Sequence, residues 1–143
     1  MDFLTSLYIS SKGMSAQRVR MNVISMNLAN ADTTRTEKGG PYRRKMAVME
    51  VEPVHNFDAE LAAKSQSACG VRVTDIVEDK TPFRRVYNPS HPDADASGFV
   101  KMPNVDLIVE MSNMMIARRS YEANVTALNT AKAMALKALE IGK

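Results

Sequence analysis

The stretch Asp93-Ala94-Asp95-Ala96-Ser97-Gly98 places oxygen-bearing side chains at alternate positions and a glycine sixth, as in the opening of a calcium-binding loop. Calcium coordination there also needs a bidentate glutamate at the twelfth position, where this chain has Asn104 preceded by Pro103. Pro89 and Pro92 stand where a helix would have to lead in. The stretch therefore reads as a tight turn between extended segments. His91 beside Asp93 and Asp95 has the composition of an acid–base cluster, but no nucleophile or oxyanion donor accompanies it. His55 and His91 have no Cys or His neighbour at zinc-ligand spacing. Cys69 precedes Gly70 with no identifiable base, and reads as a small, half-buried side chain. Gly39-Gly40-Pro41 lacks the lysine that a phosphate loop requires. No catalytic residue, metal or cofactor is expected.

Composition narrows the classes further. The net charge is +3 over 143 residues, and the basic clusters Arg43-Arg44-Lys45, Arg84-Arg85 and Arg118-Arg119 are short and scattered. No aromatic residues interleave with them to stack bases, so nucleic acid is not an expected partner. Solvated faces or acidic protein partners fit them better. With one cysteine the fold cannot depend on an internal disulfide. No apolar run approaches a membrane span, and the N-terminal stretch lacks the features of a cleaved secretory signal. The expectation is a chain that stays in the cytosol or leaves by a route needing no such signal. Eleven methionines suit surfaces that pack against more than one neighbour, as well as irregular core gaps.

The elements that must position these residues begin with a helix over residues 3–30. Leu7, Met14, Met21 and Leu28 recur every seven residues, with Phe3, Leu4, Val19, Val23, Ile24 and Met26 beside them. Ser11, Arg18 and Ser25 fall where a strict coiled coil would place apolar side chains. Gly13 weakens the helix by about 1 kcal/mol relative to Ala. A second helix is predicted over 105–141, with Leu107, Met111, Met114, Tyr121, Val125, Leu128, Ala135 and Leu139 at roughly helical spacing. Asn104 or Asp106 can cap its start, and Gly142 stands where a helix often ends. Such a helix is on the order of 55 Å long, against roughly 30 Å for a compact domain of this size. It must protrude or find partners.

Between the helices the pattern changes. Residues 42–53, the period-two run Val71 to Val77, and Pro82 to Tyr87 read as extended, and turn formers cluster over 88–98. The predicted fold is mainly α with a small β-rich insert. It divides into a helix and polar strip (1–40), a β-rich middle (41–104) and a long helix (105–143). The insert offers few apolar positions for a core of its own. The two helices can satisfy each other as a hairpin whose C-terminal arm overhangs, which points to assembly.

The polar strip after the first helix carries a resemblance. Asn27-Leu28-Ala29-Asn30-Ala31-Asp32-Thr33-Thr34-Arg35-Thr36, followed by Gly39-Gly40-Pro41-Tyr42-Arg43-Arg44, resembles the N-terminal signature of bacterial flagellar rod and hook proteins. Residues 87–95 and 98–105 look like the proximal-rod branch of that family, with Phe99 where Tyr is expected. Residues 111–137, including Arg118 to Asn124, look like its C-terminal helix. The resemblance implies terminal helices paired as a coiled coil in the inner layer of a helical, tubular assembly, with the β-rich middle outside. It implies export through the flagellar type III apparatus without a cleaved signal peptide, and a place in the basal-body rod within the periplasmic space. The implied partners are copies of the chain, other rod proteins, and the MS-ring and export-gate side of the basal body.

The residues expected to carry assembly are Leu7, Met14, Met21 and Leu28 against Met111, Met114, Met115, Tyr121, Asn124, Val125 and Leu128. Asn27, Asn30, Thr33 and Thr34 join them as a strip of directional hydrogen-bonding groups. A second reading stays open: a soluble helical adaptor or export chaperone whose β insert binds a partner.

Overall fold

The computed structural model describes residues 3–37, 39–53 and 69–141; His55 and Gly142 lie outside them. Helix α1 (Phe3–Ala29) contains no proline and ends where Asn30 turns back on it. The Asn30 amide nitrogens of both backbone and side chain donate to the Met26 carbonyl, at 3.2 and 2.8 Å. That closes the last turn and starts the polar strip. A tight turn over Thr36–Gly40 follows, in which Gly39 and Gly40 take positive φ. Tyr42 then leads into strand β1.

Strands β1 (Lys45–Pro53) and β2 (Cys69–Glu78) pair antiparallel from Lys45↔Glu78 to Pro53↔Cys69. The register shifts between Val48 and Met49, leaving Thr74 as the extra residue. Strands β3 (Arg84–Tyr87) and β4 (Phe99–Met102) form a second two-stranded sheet. Tyr87 and Phe99 pack edge-to-face at its turn end, with ring centroids 5.3 Å apart. The expected extended segments are thus present, the first and third with shorter bounds and the second with longer ones, and β4 is an addition. Helix α2 (Leu107–Ile141) follows, capped by Asp106, whose side-chain oxygen accepts from the Ile108 and Val109 amides at 2.9 and 3.1 Å. Asn104, the other predicted cap, is used elsewhere.

Helix α1 is the middle layer. It packs against α2 on one side and along both strands of the β1–β2 hairpin on another. Near the far end of that hairpin, Lys12 pairs with Glu52 at 2.9 Å and its side chain lies over Gly70. Two partners draw on two faces of one helix. That explains why the buried residues of α1 are Thr5, Ser10, Ala16, Val23, Ile24 and Asn27, not a single stripe. Leu7, Met14, Met21 and Leu28 are half-buried, one residue round from the innermost set.

Along α2 the residues turned from solvent are Glu110, Asn113, Met114, Ala117, Ser120, Tyr121, Asn124, Val125, Leu128, Ala131 and Ala135, and steps of four and three run through them. Met111 and Met115 face away. A separate small core joins Ala31, Tyr42 and Val105, where the exit from α1 meets the approach to α2.

Candidate functional site: the joint between helices and strands

Asn27 is 1% exposed and uses its full hydrogen-bonding capacity. Its side-chain nitrogen donates to Glu110 Oε2 and to the Lys45 carbonyl, both at 2.9 Å. Its side-chain oxygen accepts from the Lys45 amide at 2.9 Å and from the Tyr42 hydroxyl at 3.0 Å. One amide thereby holds the start of β1 and the start of α2 to the end of α1. Burial first, and then the Glu110 charge, push the Tyr42 pKa up, which keeps the hydroxyl a donor.

Glu110 is also 1% exposed, the deepest carboxylate among the described residues. Arg44 answers it with Nε at 2.9 Å and a terminal nitrogen at 2.7 Å, both on Oε1. The same guanidinium reaches Asp79 at 3.3 Å. Burial works against the charged guanidinium, but the bond and charge of Glu110 outweigh it, so the Arg44 pKa is raised. Asn104 closes the knot. Its side-chain oxygen accepts from the Arg44 amide at 2.8 Å, and its nitrogen donates to Thr81 Oγ1 at 2.7 Å. Arg43 lies over the Phe83 ring at 4.3 Å and donates to the Asp79 carbonyl. Backbone donation from Thr81, ahead of the Arg44 contact, holds the Asp79 pKa below the usual carboxylate value.

This arrangement positions; it does not react. It has no nucleophile, and no group of three metal-ligating side chains occurs among the described residues. The predicted turn at 93–98 is present. Asp95 accepts from the Ser97 and Phe99 amides at 2.9 and 3.0 Å, and Gly98 takes φ 76°. Asp93 accepts from Thr34 at 2.8 Å. His91 Nδ1 accepts from the Asp93 amide at 3.1 Å. Cys69 is exposed at the start of β2, not half-buried as its sequence context suggested.

Of the residues expected to carry assembly, the structure joins Asn27 to Glu110 and brings Asn124 against Gly13. A Cβ added at Gly13 would lie 2.9 Å from the Asn124 amide. Gly13 is thus a point of close helix approach as well as a weak spot in the helix. Thr33 donates to Asn30 at 3.2 Å, so the strip is partly satisfied within its own chain. Met111 and Met115 are each 58% exposed, and Met114, Tyr121, Asn124, Val125 and Leu128 are half-buried.

Both halves of the joint fall in segments that known proteins share. Residues 7–35 match the family model described as flagella basal body rod protein. Residues 96–141 match that of the flagellar basal body rod FlgEFG protein C-terminal. The chain is 46% identical to the flagellar basal-body rod protein FlgC of Bacillus subtilis, over 96% of this chain and 97% of that one. It is 44% identical to FlgC of Salmonella typhimurium over the whole of both chains. With FlgC of Borreliella burgdorferi the identity is 41%, over 99% and 98%.

The chain belongs to the flagellar basal-body rod protein family.

As a member of that family it is a structural subunit of the basal-body rod, and the adaptor reading is not favoured. The bond from Asn27 to Glu110 spans 83 residues and ties the N-terminal rod segment to the C-terminal one.

Proposed function

We propose that α1 and α2 form the inner layer of a hollow rod as a coiled coil, with the strands outside. In this reading residues 1–40 and 105–143 build the inner layer and 41–104 the outer part. The observation that supports it most directly is the bare face of α2. Leu107, Ile108, Val109, Met111, Met115 and Ile116 are all exposed within three turns. A helix that is apolar all round belongs in a packed interior, and α1 covers only one side of this one. Each such side chain contributes about 1.5–3 kcal/mol when buried, well above an exposed ion pair. The four-three spacing along α2 is the spacing a coiled-coil seam uses.

Met111 and Met115 then carry contacts between subunits. Met114, Tyr121, Asn124, Val125 and Leu128 belong to the helix pair, with Leu7, Met14, Met21 and Leu28 on its flank. Asn27 anchors the joint, while Asn30, Thr33 and Thr34 present the remaining polar strip to a neighbour. The partners are further copies and other rod proteins, on the MS-ring and export-gate side of the basal body. Delivery to the periplasmic space runs through the flagellar type III apparatus without a cleaved signal peptide.

The test is Met111→Asp with Met115→Asp. Both positions are exposed, so the purified variant should keep its helicity and lose no more than about 0.5 kcal/mol per site. In cells it should be synthesised yet absent from isolated basal bodies. Complete rods built from it would sink the proposed face. Met114→Asp is a poorer probe, because it also damages the helix pair.

A further inference from the structure

Among the described residues no helix lies beside the end of α2. Fourteen residues separate Gly13 from Asn27, and fourteen separate their partners Glu110 and Asn124, so one antiparallel register holds throughout. Continued, this register sets Phe3 opposite Met134, and residues 135–141 extend about 10 Å beyond it. Leu136 and Leu139 are exposed there, Leu139 to 71%, beside the exposed Glu140. Lys137 points about 100° round the helix from Leu136, off this face.

Toward the opposite end of the helix pair a cleft of about 320 Å³ opens between α1, β1 and α2. Val23, Ile24, Met46 and Met49 line it together with Arg20, Lys45 and Glu110, whose carboxylate is taken up by Arg44 and Asn27. Neither Arg20 nor Lys45 has an ion-pair partner among the described residues, and Lys45 only overhangs the Tyr42 ring at 6.0 Å. Arg44, also on the wall, is committed to Glu110 and Asp79. The cleft therefore suits two apolar side chains one turn apart followed by a carboxylate.

We infer that the end of α2 from a second copy of this chain seats in the cleft. Leu136 and Leu139 lie against its apolar wall, and the Glu140 carboxylate accepts from Arg20 and Lys45. The inference rests on the subunit-to-subunit reading above and names its contact. Plug and cleft are different surfaces, so each copy can use both at once. The contact is heterologous.

The test uses the full chain with Cys69→Ser. Chains carrying Leu139→Cys are mixed with chains carrying Met46→Cys and oxidised; the control partner carries Arg119→Cys, on a distant exposed turn. A disulfide-linked heterodimer should form with Met46→Cys and not with the control. Glu140→Lys should lower its yield about tenfold, and Arg20→Glu with Lys45→Glu on the other chain should restore it. Equal linking to both partners, or none from chains of normal helicity, would overturn the contact. So would a Leu139→Cys adduct formed in cells only with a different rod protein. Rods assembling normally without the cross-link would sink this contact and leave the rod role standing. A cross-linking chain that never reaches rods would do the reverse.

Discussion

Asn27 and Glu110 illustrate what a buried polar pair demands: every donor and acceptor is matched, and removing one strands the rest. Asn27→Ala leaves the Tyr42 hydroxyl, the Lys45 amide and Glu110 short of partners, and should cost about 3 kcal/mol in urea unfolding. Glu110→Ala should cost a similar amount, and a double-mutant cycle between the two should show coupling of about 1 kcal/mol or more. Additive losses would mean that the two side chains act separately. Acid sensitivity belongs to Asp79 and Asp95, whose pKa values are lowered chiefly by backbone donation from Thr81 and Phe99. A carboxylate with a depressed folded pKa adds stability above its unfolded pKa of 3.8, and the gain fades as pH falls through the lower folded value. The urea midpoint should therefore fall as pH drops below about 4, and Asp95→Asn should flatten that fall. The sequence did carry a signal for Glu110: a lone carboxylate inside Leu107-Ile108-Val109-Glu110-Met111 has to be paired if the run is buried. Its partner was not legible, because Arg43, Arg44 and Lys45 are adjacent and only the strand register selects Arg44.

The two helices were legible as elements, and the seam within the pair was not. A seven-residue repeat identifies a face, but α1 serves two partners at once, so its innermost residues spread over two faces. The contrast is measurable. Ile24→Ala should cost about 2–4 kcal/mol and Met21→Ala about 1 kcal/mol, because only the first removes a buried side chain. Equal costs would return the seam to the heptad positions. Gly13 offers a second test. Replacing an exposed helix glycine with alanine gains about 1 kcal/mol, but here the added methyl meets Asn124. Gly13→Ala should fall short of that gain, and the full gain should return with Asn124→Ala; thermal midpoints of the four combinations decide it. The turn at 93–98 was read correctly because proline and glycine punctuate locally. Strand β4 was missed because four residues beside turn formers carry too little periodicity to count.

At the scale of the whole molecule the overhang gives the most accessible prediction. Within α2, brief trypsin treatment of the dilute chain should cut after Lys137 before Arg118 or Arg119, since residues 136–140 are all exposed and lie past the end of α1. Protection of that bond at high protein concentration would report the end of α2 finding a seat. Legibility also changes at this scale. The sequence showed that a helix of this length needed company, yet not that α1 would be the middle layer of three. That placement has a consequence for biosynthesis. Helix α1 leaves the ribosome before the strands and the second helix that it packs against, through bonds closing 18 and 83 residues downstream. Contacts this distant along the chain form slowly, and none can form before the downstream segment exists. Helix α1 is thus made before its packing partners and finished after them, open to whatever handles the nascent chain until they arrive.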